Sequence, residues 1–232
     1  MRSLLPCVAL AAAAALNAAT AFFASAATEP EGTYYLAFAG GVVEMPRCPP
    51  LRTRATLQMP PLRVFGVVAP RRVRALVLEA VRRDFAKWPR VSIREGELPE
   101  HLGDNVVVVG GRAPSGSGLL GLADAVDAGD RLSNERAVVF AESVVEFLHA
   151  PPSTAAAEEQ AAQAIANTVS HEIGHMLGFA HAKRRGGSDI MFPGVGEEAG
   201  LEQAFLIHHQ SYAAPWWRRM VHEGRTPACT GW

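Results

Sequence analysis

Residues 154–177 place the tightest constraint on how this chain can fold. Thr154 precedes three alanines and then Glu158 and Glu159, which sets a hydroxyl cap and acids near the positive end of a helix dipole. Ala, Gln and Glu carry the segment onward, and Ile165, Val169, Ile173 and Leu177 recur every four residues. That spacing predicts one long helix with an apolar stripe turned toward a core. Its last turns contain His171, Glu172 and His175. Two histidines four residues apart stand one above the other on a helix face, the separation needed to share one tetrahedral metal ion. Glu172 projects about 100° around the helix, beside such an ion and not onto it. Gly178 can take the left-handed conformation that stops a helix and turns the chain sharply. The turn lets His181 approach from a new direction.

Three histidines leave a fourth coordination position to water, which distinguishes a catalytic zinc site from a structural one. The expected set is therefore His171, His175 and His181 as ligands of one Zn2+ ion, with Glu172 as general base. The other histidines (His101, His149, His208, His209 and His222) lack partner spacing and are expected to be ordinary.

The run from His171 to His181 resembles the metzincin metallopeptidase signature, H-E-x-x-H-x-x-G-x-x-H, and matches it in full. Ten residues on, Asp189-Ile190-Met191-Phe192-Pro193 is similar to the Met-turn of that family, most of all in its matrixin branch. The resemblance is tight over 171–193. It implies a zinc endopeptidase acting on a protein or peptide substrate, with Met191 forming the apolar floor beneath the zinc. It also implies that substrate lies extended along an edge strand around Gly121-Leu122-Ala123, adding a strand through backbone hydrogen bonds. Leu122-Ala123-Asp124-Ala125 stands where matrixins carry Leu-Ala-His-Ala, so the ligand of their second, structural zinc is missing and none is expected. Asp124, Asp127 and Asp130 could bind calcium, but a polar loop is the expected role. Ala182 stands where matrixins usually place Ser.

The rest of the chain reads as an α/β domain. Leu62–Val68 has the composition of a strand. Pro70 suits a helix start, and Val73, Leu76, Val77, Ala80, Val81, Phe85 and Trp88 follow at three- and four-residue intervals before Pro89. Val91–Ile93, the valine run Asn105–Val109, Leu119–Val126 and Arg136–Ala141 are further strands; 110–118 is a loop. This order of elements predicts an α/β arrangement with a mixed sheet. The metzincin resemblance implies that the sheet is twisted and mostly parallel, with an antiparallel edge strand, a backing helix and a long active-site helix.

The first 26 residues differ in character from the rest of the chain. Arg2 is their only charge, Leu4–Ala26 is almost wholly apolar, and Ala24-Ser25-Ala26 is a small-x-small cleavage pattern. A secretory signal is expected there, with an uncleaved anchor as the alternative. Residues 27–61, rich in Pro, Gly and Arg, are expected to be an N-terminal arm or short pro-segment. The catalytic domain would span 62–223, and 224–232 would be a tail. No transmembrane span is expected in the mature form.

Without the signal, Cys48 and Cys229 form an even pair in an oxidising compartment, where a disulfide is the default. Met45-Pro46-Arg47-Cys48-Pro49-Pro50 also resembles the matrixin pro-segment motif, whose cysteine thiolate keeps the enzyme latent, although Pro49 replaces its glycine. Both roles stay open for Cys48.

A formal net charge of -1 gives no electrostatic footprint for nucleic acid. The cluster Arg71, Arg72, Arg74, Arg82 and Arg83 reads as a solvated helix face. No feature of the sequence specifies an oligomeric state. Two other readings compete with the peptidase: a zinc-holding protein without turnover, against which Glu172 argues, and a purely structural secreted domain.

Overall fold

The computed structural model describes residues 31–45, 55–86, 88–97, 105–115, 117–124, 134–148, 154–179, 191 and 230–231. In chain order the strands are β1 (Gly32–Ala37), β2 (Gly41–Met45), β3 (Ala55–Met59), β4 (Arg63–Val64), β5 (Val67–Val68), β6 (Val91–Glu95), β7 (Asn105–Val109), β8 (Gly121–Ala123), β9 (Arg136–Val139) and β10 (Thr230–Gly231). The helices are α1 (Arg71–Asp84), α2 (Ala141–Phe147) and α3 (Ala155–Met176).

Six strands make the central sheet, in the order β10-β8-β9-β7-β1-β6. β6, β1, β7 and β9 pair in parallel, whereas β8 joins β9 antiparallel and β10 joins β8 antiparallel. The α/β arrangement with a mixed sheet that the patterning predicts is thus present, and the sheet is mostly parallel with an antiparallel margin.

Alternation along the strands divides the interior into two layers. Tyr34, Leu36, Val107, Val109, Ala137, Val139 and Ala123 share a cluster with the helix residues Val73, Val77, Val81, Ile165, Val169 and Ile173. Ala37, Val106, Val108, Leu122 and Val138 point to the other side and pack on Val43, Met45 and Met59 of the β2–β3 hairpin. Covering on both faces explains why the β7 valines are buried at every position. Removing any one would cost the transfer energy of a buried aliphatic side chain, about 1.5–3 kcal/mol, before any cavity term.

Several boundaries differ from those expected. Parts of the stretch read as an arm, 32–45 and 55–59, contribute β1 as an interior strand of the sheet and the hairpin beneath it. Tyr34, Tyr35 and Leu36 carry the strand signal, which the neighbouring Pro, Gly and Arg obscure. The strand expected over 62–68 folds back on itself: Phe65 and Gly66 both have positive φ (52° and 82°) and turn β4 into β5. A two-residue loop of that kind is the turn that matches the twist of paired strands.

α1 stops at Asp84, earlier than Pro89 suggested, though Phe85 and Trp88 remain buried beyond it. β9 ends at Val139, and the unexpected helix α2 begins at Ala141, burying Ala141, Val144 and Val145. Among the tail residues, 230–231 are a strand. The arginine face of α1 meets its neighbours: Arg72 bonds Glu159, Arg74 pairs with Glu95, and Arg82 Nε donates to the Ile93 carbonyl.

Among the described residues no helix is long and apolar enough to cross a membrane. The segment 1–26, both Cys48 and Cys229, and the five histidines set aside as ordinary lie outside the described residues.

Candidate metal centre

α3 forms as its sequence dictates. The Thr154 hydroxyl accepts a hydrogen bond from the Ala157 N–H at 3.1 Å, satisfying one of the donors a helix start leaves open. From Ala164 to its last residue, Met176, the helix is wholly buried. It closes at Gly178, whose φ is +90°. The Phe179 N–H reaches back to the Gly174 carbonyl and the Gly178 N–H to the His175 carbonyl, each at 2.8 Å. This pair of bonds is the Schellman closure, and it requires the left-handed residue that glycine supplies. Phe179 is then held by stacking on Trp88, with ring centroids 5.7 Å apart.

The closure orients His175. His175 Nδ1 lies 2.7 Å from the Phe179 carbonyl oxygen. A carbonyl only accepts, so Nδ1 carries the hydrogen and the neutral ring presents its lone pair at Nε2. That Nε2 lies 3.0 Å from His171 Nε2, with the rings at 89° to one another. Two nitrogens bound to one tetrahedral zinc at 2.0–2.1 Å stand roughly 3.3 Å apart. The two imidazoles are therefore close to ligand separation, and both are fully buried.

Glu172 leans onto the sheet. Its Oε1 would lie 2.4 Å from a Cβ built on Gly121, so only glycine leaves room for the carboxylate at that point of β8. Burial pushes the carboxyl well above the usual carboxylate range; the nearby Ala123 N–H offsets part of this. Neither oxygen has a partner at full hydrogen-bond geometry, so the Ala123 N–H is a weak, poorly aligned neighbour. A buried carboxylate with no partner is costly unless a cation stands close to it. An ion held between His171 and His175 would meet that need, and imidazole nitrogens with a carboxylate alongside suit zinc. On this test the donor set fits.

The third expected ligand, His181, lies outside the described residues, and among those described no third His, Cys, Asp or Glu joins the pair. Met191 is buried in the same core cluster as Ile173, Met176 and Phe179. Asp124 Oδ2 accepts the Arg136 N–H at 3.0 Å, clasping β8 to β9. Asp127 and Asp130, the other two acids considered for calcium, are outside the described residues.

Three contributors escape a reading of side-chain types. The Phe179 carbonyl is backbone and has no residue signature. Gly121 matters only through a contact across the sheet. Asp84, at the end of α1, accepts a 2.7 Å hydrogen bond from the Ser170 hydroxyl, one residue before His171. Burial raises the pKa of Asp84 to about 6, against the lowering effects of Ser170 and Arg83. Its place in the apolar period of α1 was the one available signal, and a charged residue there reads as a gap.

No protein-family model matches the chain, and no curated protein matches it significantly. Among solved structures, a chain of the GM1-bound ECX AB5 holotoxin is similar at 15% identity and a TM-score of 0.36. The match covers 85% of this chain and 81% of that one. So low a score carries no argument about fold or activity.

Proposed function

We propose that this chain is a secreted zinc-dependent endopeptidase of metzincin type, most similar to the matrixin branch. His171, His175 and His181 would hold the ion, and Glu172 would act as general base. The observation that carries the reading is the convergence of His171 Nε2 and His175 Nε2 at 3.0 Å, with the unpartnered Glu172 carboxylate on the same helix end. His181 enters from the motif alone.

Zinc, when bound, lowers the pKa of water toward neutrality and polarises a peptide carbonyl. The remaining roles belong to the chain. The Phe179 carbonyl fixes the His175 tautomer, so Nε2 is always the nitrogen offered. Gly121 leaves space for Glu172, which takes the attacking water's proton and passes it to the leaving amine. Beside a bound cation Glu172 would hold its charged form against the effect of burial and so be competent as a base. The edge of β8 aligns an extended substrate through its backbone groups.

The test is cleavage of casein and a quenched-fluorescence peptide library, with and without a chelator, by the native chain and Glu172→Ala. Hydrolysis should vanish with the chelator and return with added zinc. Glu172→Ala should lose ~10²–10⁴-fold in rate, the span of a general acid–base contribution. Chelator-insensitive hydrolysis, or near-native turnover by the variant, would overturn these roles.

A further inference from the structure

We infer that the chain occupies its own substrate track, with Thr230–Gly231 holding the outer edge of β8 in cis against incoming peptides. The inference rests on the peptidase reading above.

β8 is bonded to β9 along one edge only, through Gly121↔Val139, Leu122↔Val138 and Ala123↔Ala137. Its other edge would be the margin of the sheet, but β10 lies on it, antiparallel, with Thr230↔Ala123 and Gly231↔Leu122. A strand edge recognises backbone N–H and C=O groups, so it accepts any extended segment that reaches it. Whatever pairs there runs about 4.8 Å from β8. β8 also meets α3 at Gly121, against the Glu172 carboxylate. The lane beside β8 is thus the lane beside the candidate base, and residues 230–231 are in it.

His171, Glu172 and His175 are each 0% exposed, so an extended peptide reaches them only after a change of conformation, and on this inference the lane beside β8 opens with it. A two-residue strand is suited to that, since ladders this short are marginal on their own. Being tethered, it competes at a constant effective concentration whatever the protein concentration. When only a fraction of molecules has the lane open, apparent affinity for substrate falls by that fraction.

The experiment compares the full chain with one lacking residues 230–232, which keeps Cys229, and with Thr230→Pro, which removes an N–H without shortening the chain. Two readouts are taken: KM and kcat on a quenched peptide, and amide hydrogen exchange in residues 121–123. Both variants should exchange faster in β8 and show KM lowered roughly three- to tenfold at unchanged kcat. Faster exchange with unchanged KM would overturn the inference, leaving the segment as a cover for a bare sheet edge and the peptidase reading intact. Unchanged exchange in both variants would overturn the pairing itself. Absence of hydrolysis by every chain, in the presence of zinc, would instead sink the peptidase reading and this competition with it.

Discussion

Replacing Asp84 by asparagine should stabilise the protein at neutral pH and leave it unchanged in acid. Asp84 is buried where α1 meets α3, and it accepts a hydrogen bond from the Ser170 hydroxyl at 2.7 Å. Its folded pKa is raised from 3.8 to about 6. The folded state therefore binds the proton more tightly than the unfolded state between those two values. Stability from this group is fully present below the unfolded pKa, declines as pH rises through the folded pKa, and stays lower above it. A shift of that size corresponds to about 3 kcal/mol, at ~1.4 kcal/mol per unit. Asparagine keeps the shape and an acceptor for Ser170 without the charge, so it escapes the loss. Urea denaturation at pH 8 should show Asp84→Asn more stable than the native chain by up to about 3 kcal/mol. At pH 4 the two midpoints should nearly coincide. A variant less stable by the same amount at both values would refute the reasoning, because the charge would then be holding α1 to α3.

Gly121→Ala should displace the Glu172 carboxyl, which would otherwise meet the new Cβ at 2.4 Å. Zinc content should be retained while kcat falls on the order of 10²-fold, the scale of a misplaced catalytic group; an unchanged kcat would separate Glu172 from the reaction. Thr154→Ala removes the cap of α3 and should cost about 1 kcal/mol in chemical denaturation, with no change in metal affinity.

Much of the fold was legible because its signals are local and periodic. α3 begins and ends where a hydroxyl cap and a glycine say it should, and β7 is the valine run itself. What escaped was non-local. β1 sits among residues of turn-forming type, so only its partners on both sides reveal it as an interior strand of the sheet. α2 is a two-turn helix, too brief for a helical period to stand out from a strand ending. Phe65-Gly66 turned a predicted strand into a hairpin, because a bulky residue with positive φ is not suggested by its type. At the site, the histidine pair and Glu172 were legible from four-residue spacing. The parts that orient them, the Phe179 carbonyl and the space at Gly121, exist only once helix and sheet are packed together.

Counting zinc per chain by plasma mass spectrometry, in the native protein and in His175→Ala after dialysis, tests the central claim most directly. About one ion per native chain and almost none in the variant are expected, since a three-ligand site loses its hold with a missing imidazole. A native chain prepared with zinc that retains none, or a variant that keeps as much as the native chain, would contradict a metal centre built on His171 and His175.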